Sequence, residues 1–261
     1  MIGRDFSMSA EDLKKVSLFI PVYNALQLIK RDLRAAYAAL QQLGADFEIV
    51  IVDDNSSDGS HRLGRVINRA RTVTGRDIRY LRYDNGPSRR ENLAKAFYTA
   101  KHDIVGFIDA DFSCDIVYFM KAMELLNDPA IDMVIGSRYI KGAKAKRRLV
   151  RRIFSFFYNL LIRLLFGSTI KDRQCGLKVF RKRSVMPVIE QMGYDGRFIR
   201  GWFWDAELLV RAQKAKLKII EMPVVWVYAD SSTFNFKREL KALWAMAVLK
   251  LEMMKAKKER P

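Results

Sequence analysis

The stretch FIDADFSCD, residues 107–115, closes an apolar run with three aspartates, Asp109, Asp111 and Asp115, inside seven residues. Like charges this close raise one another's pKa unless a cation sits between them. The surrounding chain is strongly basic, with 47 Lys and Arg against 29 Asp and Glu and a formal net charge of +18. A strand-end turn also accounts for aspartates, because Asp favours turns and helix N-caps. The choice depends on what else the chain brings to the same place.

Outward from residue 107, short β-rich runs alternate with helical patterns. VSLFI (16–20), FEIVIVD (47–53), IRYLRY (78–83), IVGFID (104–109) and DMVIG (132–136) read as strands. Leu26, Ile29, Leu33, Tyr37, Leu40 and Leu43 keep helical spacing, as do Leu63, Val66 and Ile67. Strands separated by helices predict an α/β fold, a mostly parallel sheet covered on both faces. Ligands bind such sheets beyond the carboxyl ends of the strands. Three polar clusters then share one rim: PVYN after the first strand, DDNSSDGS after the second, DADFSCD after the fourth. Purely structural turns would fall at both ends of the sheet, so the convergence favours function.

The chain has 261 residues, half of them hydrophobic, and six prolines, enough for one large domain or two small ones. Cys114 and Cys175 lie far apart and there are two histidines, so zinc-ligand spacing is missing and a reducing compartment is the default. Arg4, Asp5, Glu11 and Asp12 interrupt any signal-peptide core. No stretch reaches the ~20 apolar residues that span a bilayer. IFSFFYNLLIRLLF (153–166) is the nearest, and it contains Arg163. The first turn, PVYNALQ, is not a G-x-G-x-x-G dinucleotide loop, and a Walker loop is also lacking. A nucleotide would have to be held through carboxylates and a metal.

SLFIPVYNALQLI, EIVIVDDNSSDGS, FIDADFSCD and VIGSRYIKG (134–142) together resemble the family 2 glycosyltransferases of GT-A fold. DRQCGLKVFRK (172–182) and GWFWDAELLVRAQKAKLKIIEMPVVW (201–226) resemble, more narrowly, the dolichyl-phosphate glucosyl- and mannosyltransferases, the polyprenyl-phosphate sugar synthases. The resemblance runs from about residue 14 to about residue 235. It implies inverting transfer of a hexose, glucose from UDP-glucose ahead of mannose from GDP-mannose, to dolichyl or polyprenyl phosphate. It also implies Mg²⁺ or Mn²⁺ on Asp109 and Asp111, where a cation would neutralise charge building on the leaving diphosphate.

The same resemblance suggests Pro21, Tyr23, Asp53, Asn85, Gly86 and Ala110 for the nucleotide sugar, with Asp53 accepting from a base N–H and Asp54 in a turn or supporting role. Ala25 stands where the family often has glutamate. Arg138 would contact the diphosphate, or else is a solvated arginine after a strand. Arg173 and Arg200 are candidates for the acceptor phosphate. Asp205 would serve as general base for a hydroxyl acceptor. For a lipid phosphate, already largely anionic because its second pKa is ~6, it would only orient the sugar. It also reads as a helix N-cap, as Asp115 does.

The basic excess suggests a membrane partner. AKAKRRLVRRIFSFFYNLLIRLLFGS (143–168) pairs Lys146, Arg147, Arg148, Arg151 and Arg152 with a helix apolar almost all round. Its bland reading is a core helix with a solvated entry. In FKRELKALWAMAVLKLEMMKAKKER (236–260), Leu240, Leu243, Trp244, Ala247, Leu251 and Met254 form a stripe beside Lys237, Lys241, Lys255, Lys257 and Lys258. Basic amphipathic helices with Trp lie in membrane interfaces. The expected organisation is a GT-A domain over 1–235, including a basic amphipathic helix near 144–166, and a second such helix over 236–261. The expected location is peripheral (monotopic), on the cytoplasmic face of a membrane. The competing functions are transfer to a hydroxyl of a polysaccharide or lipid-linked glycan, nucleic-acid binding, for which no motif is visible, and a noncatalytic scaffold.

Overall fold

A computed structural model describes residues 15–42, 44, 46–74, 77–86, 90–145, 149–194, 200–227 and 236–258. Its centre is a seven-stranded sheet in the order β3-β2-β1-β4-β7-β5-β8. The strands are β1 (Lys15–Val22), β2 (Asp46–Asp53), β3 (Ile78–Arg82), β4 (Ile104–Phe107), β5 (Met133–Ser137), β7 (Lys178–Arg181) and β8 (Ile219–Pro223). Only β7 runs antiparallel to its neighbours, inserted between β4 and β5. The expected mostly parallel α/β sheet is present, with strand positions close to those read from the sequence.

Alternation along the strands fills two cores. Val16, Leu18, Ile20, Ile49 and Ile51 point to one face, under α1 (Leu26–Gln42), α2 (Ser60–Thr74) and α4 (Ile116–Leu125). Phe19, Val50, Val52, Val105 and Phe107 point to the other, under α3 (Arg90–Phe97), α6 (Lys182–Met192) and α7 (Trp204–Lys214). Strands buried on both faces need near-continuous apolar runs, which is why the sequence signal was strong.

A third core joins α5 (Leu149–Phe166) and α8 (Phe236–Lys258) to α7. Tyr158 and Ile162 pack with Phe203, Ala206, Val210, Ala242, Ala245, Met246 and Leu249. The expectation of a helix from residue 144 needs correction. Lys144–Ala145 is a short strand, β6, paired in parallel with β9 (Val225–Trp226). Gly142, at φ 92°, turns the chain there, and the Lys144 N–H donates to the Val224 carbonyl. Lys146, Arg147 and Arg148 lie outside the described residues, as do the side chains of Arg151 and Arg152. No helix among the described residues is long and apolar enough to cross a membrane.

Candidate active site

Parallel pairing sets Val22 opposite Asp53 and Phe19 opposite Phe107, so the loops after β1, β2 and β4 leave one edge of the sheet. The first two are laced together. The Asn24 N–H donates to Ser56 Oγ at 2.9 Å, and Asn24 Oδ1 accepts from the Ser57 N–H at 2.8 Å. Asp58 accepts from the Leu26 N–H at 2.8 Å and from Ser60. Burial raises the Asp58 pKa, but its bonds from Ser60 and Leu26 outweigh that and hold the carboxyl below its ordinary value. Asn24, Asn55 and Phe112 all have positive φ, at 49°, 66° and 45°. Asparagine adopts that conformation easily; Phe112 stores strain beside Asp111, as residues at functional sites often do.

Two carboxylates from distant parts of the chain meet over one arginine. Arg90, opening α3, places Nη2 2.8 Å from Asp109 Oδ1, just beyond β4, and Nε 3.3 Å from Asp205 Oδ2, in the first turn of α7. Asp205 Oδ1 faces Lys178 Nζ at 2.8 Å. Lys178 is wholly buried, and it also donates to the Cys175 carbonyl at 2.8 Å. Both cations lie on the Phe107 ring, at 5.3 Å and 5.2 Å from its centroid. Burial pulls the Arg90 pKa down, but Asp205, Asp109 and Asp54 together carry it above its ordinary value.

Glycines complete the walls. A Cβ on Gly176 would fall 1.9 Å from Asp109 Oδ2, and one on Gly86 would fall 1.9 Å from the Asp54 carbonyl oxygen. Asp54 is buried and accepts from Asn92 Nδ2 at 2.8 Å. Asp111 turns back on Ser113, accepting its N–H at 3.0 Å and its hydroxyl at 2.6 Å. Asp115 caps α4 through the Val117 N–H at 2.9 Å.

The other expected residues divide. Tyr23 is 43% exposed, Pro21, Gly86 and Ala110 are half-buried, and Asn85 is exposed along the rim. Ala25 packs into the core under α1. The Asp53 carboxylate is fully buried. It accepts from the Ser56 N–H and hydroxyl, from the Tyr80 hydroxyl at 2.6 Å and from Arg82 at 3.1 Å. Burial and that bond to Asp53 push the Tyr80 phenol up. A base N–H would have to displace one of these donors, so in this structure Asp53 ties β2 to β3.

Three arginines of the expected site are each already engaged. Arg138 grips Asp172 bidentately, at 2.6 Å and 2.8 Å, and stacks 4.8 Å from the Trp226 ring. Arg173, 1% exposed, donates to Asn159 Oδ1 at 2.7 Å and to Ser168, and burial lowers its pKa. Arg200 is buried against Glu207 at 2.7 Å and the Met192 carbonyl. Asp205 is no helix cap: Phe203 holds that position, and the Asp205 side chain turns to Arg90 and Lys178.

Sequence reasoning assigned no role to Arg90, Lys178 or Gly176. Arg90 was one more basic residue in a basic chain. Lys178 carried a signal, since a lysine inside the apolar run GLKVF must be either exposed or paired.

Comparison with known proteins fits this architecture. Residues 17–188 match the glycosyl transferase family 2 profile. The glycosyltransferase AglD of Haloferax volcanii is 31% identical over 228 residues, covering 87% of this chain and 35% of AglD. The dolichyl-phosphate beta-glucosyltransferase of Saccharomyces cerevisiae is 25% identical, covering 83% of this chain and 68% of that enzyme. The chain thus spans about a third of one relative and about two thirds of the other. Among solved structures, glucosyl-3-phosphoglycerate synthase from Mycobacterium tuberculosis with Mg²⁺ and UDP superposes at TM-score 0.59. It is 14% identical, with 94% of this chain and 84% of that one covered. The mannosyltransferase PcManGT of Pyrobaculum calidifontis, in complex with GDP-Man and Mn²⁺, gives 0.54 at 20% identity, covering 83% and 58%. On a match that runs from β1 into α6, the chain belongs to glycosyl transferase family 2.

Proposed function

We propose that the chain transfers a hexose, glucose first and mannose next, from a nucleoside diphosphate sugar to dolichyl or another polyprenyl phosphate, with inversion, at a membrane surface. The observation that carries the reading is the meeting of Asp109 and Asp205 on Arg90 at the strand rim. Relatives named as dolichyl-phosphate beta-glucosyltransferases support the acceptor and favour glucose.

The residues fit a hard divalent cation. Asp109 and Asp111 offer carboxylate oxygens with lone pairs beyond those bonded to Arg90 and Ser113. Among the described residues no group of three or more His, Cys, Asp or Glu could hold a metal. The donor's phosphates would therefore complete the shell, the usual arrangement for Mg²⁺. When bound, Mg²⁺ or Mn²⁺ supplies Lewis-acid charge to the departing diphosphate.

The chain's own groups do the rest. Pro21, Tyr23, Asn85, Gly86 and Ala110 border the nucleotide, and Arg90 offers the cation nearest the diphosphate, the role first expected of Arg138. Asp205 has a cation facing each oxygen, which suits orienting the sugar better than taking a proton. An anionic phosphate acceptor needs no general base.

The acceptor would reach the rim along the face that α5 and α8 share. Phe156, Phe157 and Leu164 on α5 are 63%, 60% and 73% exposed. Leu243, Trp244, Leu251 and Met254 on α8 are exposed as well, while the opposite sides of both helices fill the third core. Apolar side chains flanked by basic residues suit an anionic lipid interface.

A panel of labelled UDP-glucose and GDP-mannose against dolichyl phosphate, oligosaccharide hydroxyls and buffer tests the reading. Glucose on dolichyl phosphate is expected. Efficient transfer to hydroxyls with none to the lipid phosphate would replace it with a glycan-extending reaction.

A further inference from the structure

The four groups of the centre are not equivalent. Lys178 is sealed in the core on one oxygen of Asp205, whereas the Arg90 side chain is 19% exposed and reaches the rim. Asp109 is 29% exposed, and its ion-pair partner among the described residues is Arg90. Gly176 packs against the other oxygen of Asp109 and fixes the carboxylate from behind. If Arg90 let go of Asp109, Asp205 would keep Lys178, and Arg90 would keep Asp205. The converse does not hold: with Arg90 absent, Asp205 keeps Lys178 but Asp109 loses its ion-pair partner among the described residues, which costs free energy in a partly dry site.

The position of Arg90 is itself locally unfavourable. It is the first residue of α3, where the helix macrodipole disfavours positive charge. A residue that breaks a local rule at a rim of converging carboxylates points to a use there.

We propose that Arg90 is a resident counter-cation, which neutralises Asp109 before the donor arrives and yields Asp109 to the divalent cation while staying on Asp205. The proposal rests on the metal-dependent reading of the site given above. It makes Arg90 a positioning residue for Asp109. It also implies that the free protein resists binding metal without donor, because the guanidinium on Asp109 repels a second cation there.

The test is Mn²⁺ binding to the full chain without nucleotide, followed by electron paramagnetic resonance, in the wild type, Arg90→Gln and Asp109→Asn. Arg90→Gln should bind Mn²⁺ about tenfold more tightly than the wild type. Mn²⁺ should also raise its melting temperature more than it raises that of the wild type. Asp109→Asn should lose the site. A merely structural arginine would give the opposite sign, since loosening the rim weakens every ligand. Equal or weaker Mn²⁺ binding by Arg90→Gln, with Asp109→Asn still defective, overturns the role of Arg90 and leaves the metal reading standing. Wild-type Mn²⁺ binding by Asp109→Asn overturns the metal reading itself. If Arg90→Gln does not fold, Arg90→Lys, which cannot span both carboxylates, carries the comparison with the same expected direction.

Discussion

Lys178 Nζ lies 2.8 Å from Asp205 Oδ1 with no exposed surface of its own. A strand residue from the middle of the sheet thus supports a carboxylate from the start of a helix far along the chain. Removing Lys178 leaves one buried oxygen of Asp205 without its cation, with Arg90 remaining on the other, and breaking a buried pair usually costs far more than the pair contributes. Lys178→Met should therefore destabilise the fold by about 3 kcal/mol in urea titration. Combining it with Asp205→Asn should cost less than the sum of the two single changes. Strict additivity would show that the two groups do not interact.

Gly176 tests the geometry of Asp109 without removing any charge. Its φ is not in the left-handed region, so alanine is tolerated by the backbone but its Cβ meets Asp109 Oδ2. Gly176→Ala should keep a cooperative melt and lose about 100-fold in transfer rate, the effect of a misplacement near 1 Å. Wild-type kinetics would show that Asp109 has room to move.

Both thiols should be inert in the folded protein. Burial pushes Cys175 up to about 12 and Cys114 higher still, so neither forms thiolate at pH 8. Iodoacetamide should label both only after denaturant is added. Fast labelling of the native chain would mean that this core opens readily.

The exposed side chains of α5 and α8 should govern lipid contact alone. Replacing Phe156, Phe157 and Trp244 with serine removes three large apolar groups, each worth roughly 1.5–3 kcal/mol when fully buried. Binding to anionic liposomes should fall at least about tenfold, while nucleotide affinity measured without lipid stays unchanged. Undiminished liposome binding would move the membrane contact to another surface.

The sheet was legible because strands buried on both faces write long apolar runs, and β1 to β5 fall where those runs predict. The rim was legible as well, since helical crossovers make the strands parallel, and parallel strands send the loops that follow them to one edge. Asp115 declared itself as a cap by standing just before Ile116. Pairing was not legible. Arg138, Arg173 and Arg200 look alike in the sequence, and only the fold reveals that each is already bonded to Asp172, to Asn159 and Ser168, or to Glu207. On α8, the stripe through Leu243, Trp244, Leu251 and Met254 was found, but it faces outward. Ala242, Ala245, Met246 and Leu249 form a second apolar side that fills the core, and a helix apolar on two sides gives no single direction to follow.

The carboxylates beyond β4 are proposed to form the reaction centre of a metal-assisted transfer. That role is tested most directly by the rate of glucose transfer from UDP-glucose to dolichyl phosphate in the presence and absence of excess chelator, for the wild type and Asp109→Asn. Chelation should abolish transfer, Mn²⁺ or Mg²⁺ should restore it, and Asp109→Asn should stay folded but lose at least about 100-fold, the scale on which loss of a key charge-stabilising group acts. Undiminished transfer in excess chelator, or near-normal turnover by Asp109→Asn, would contradict it.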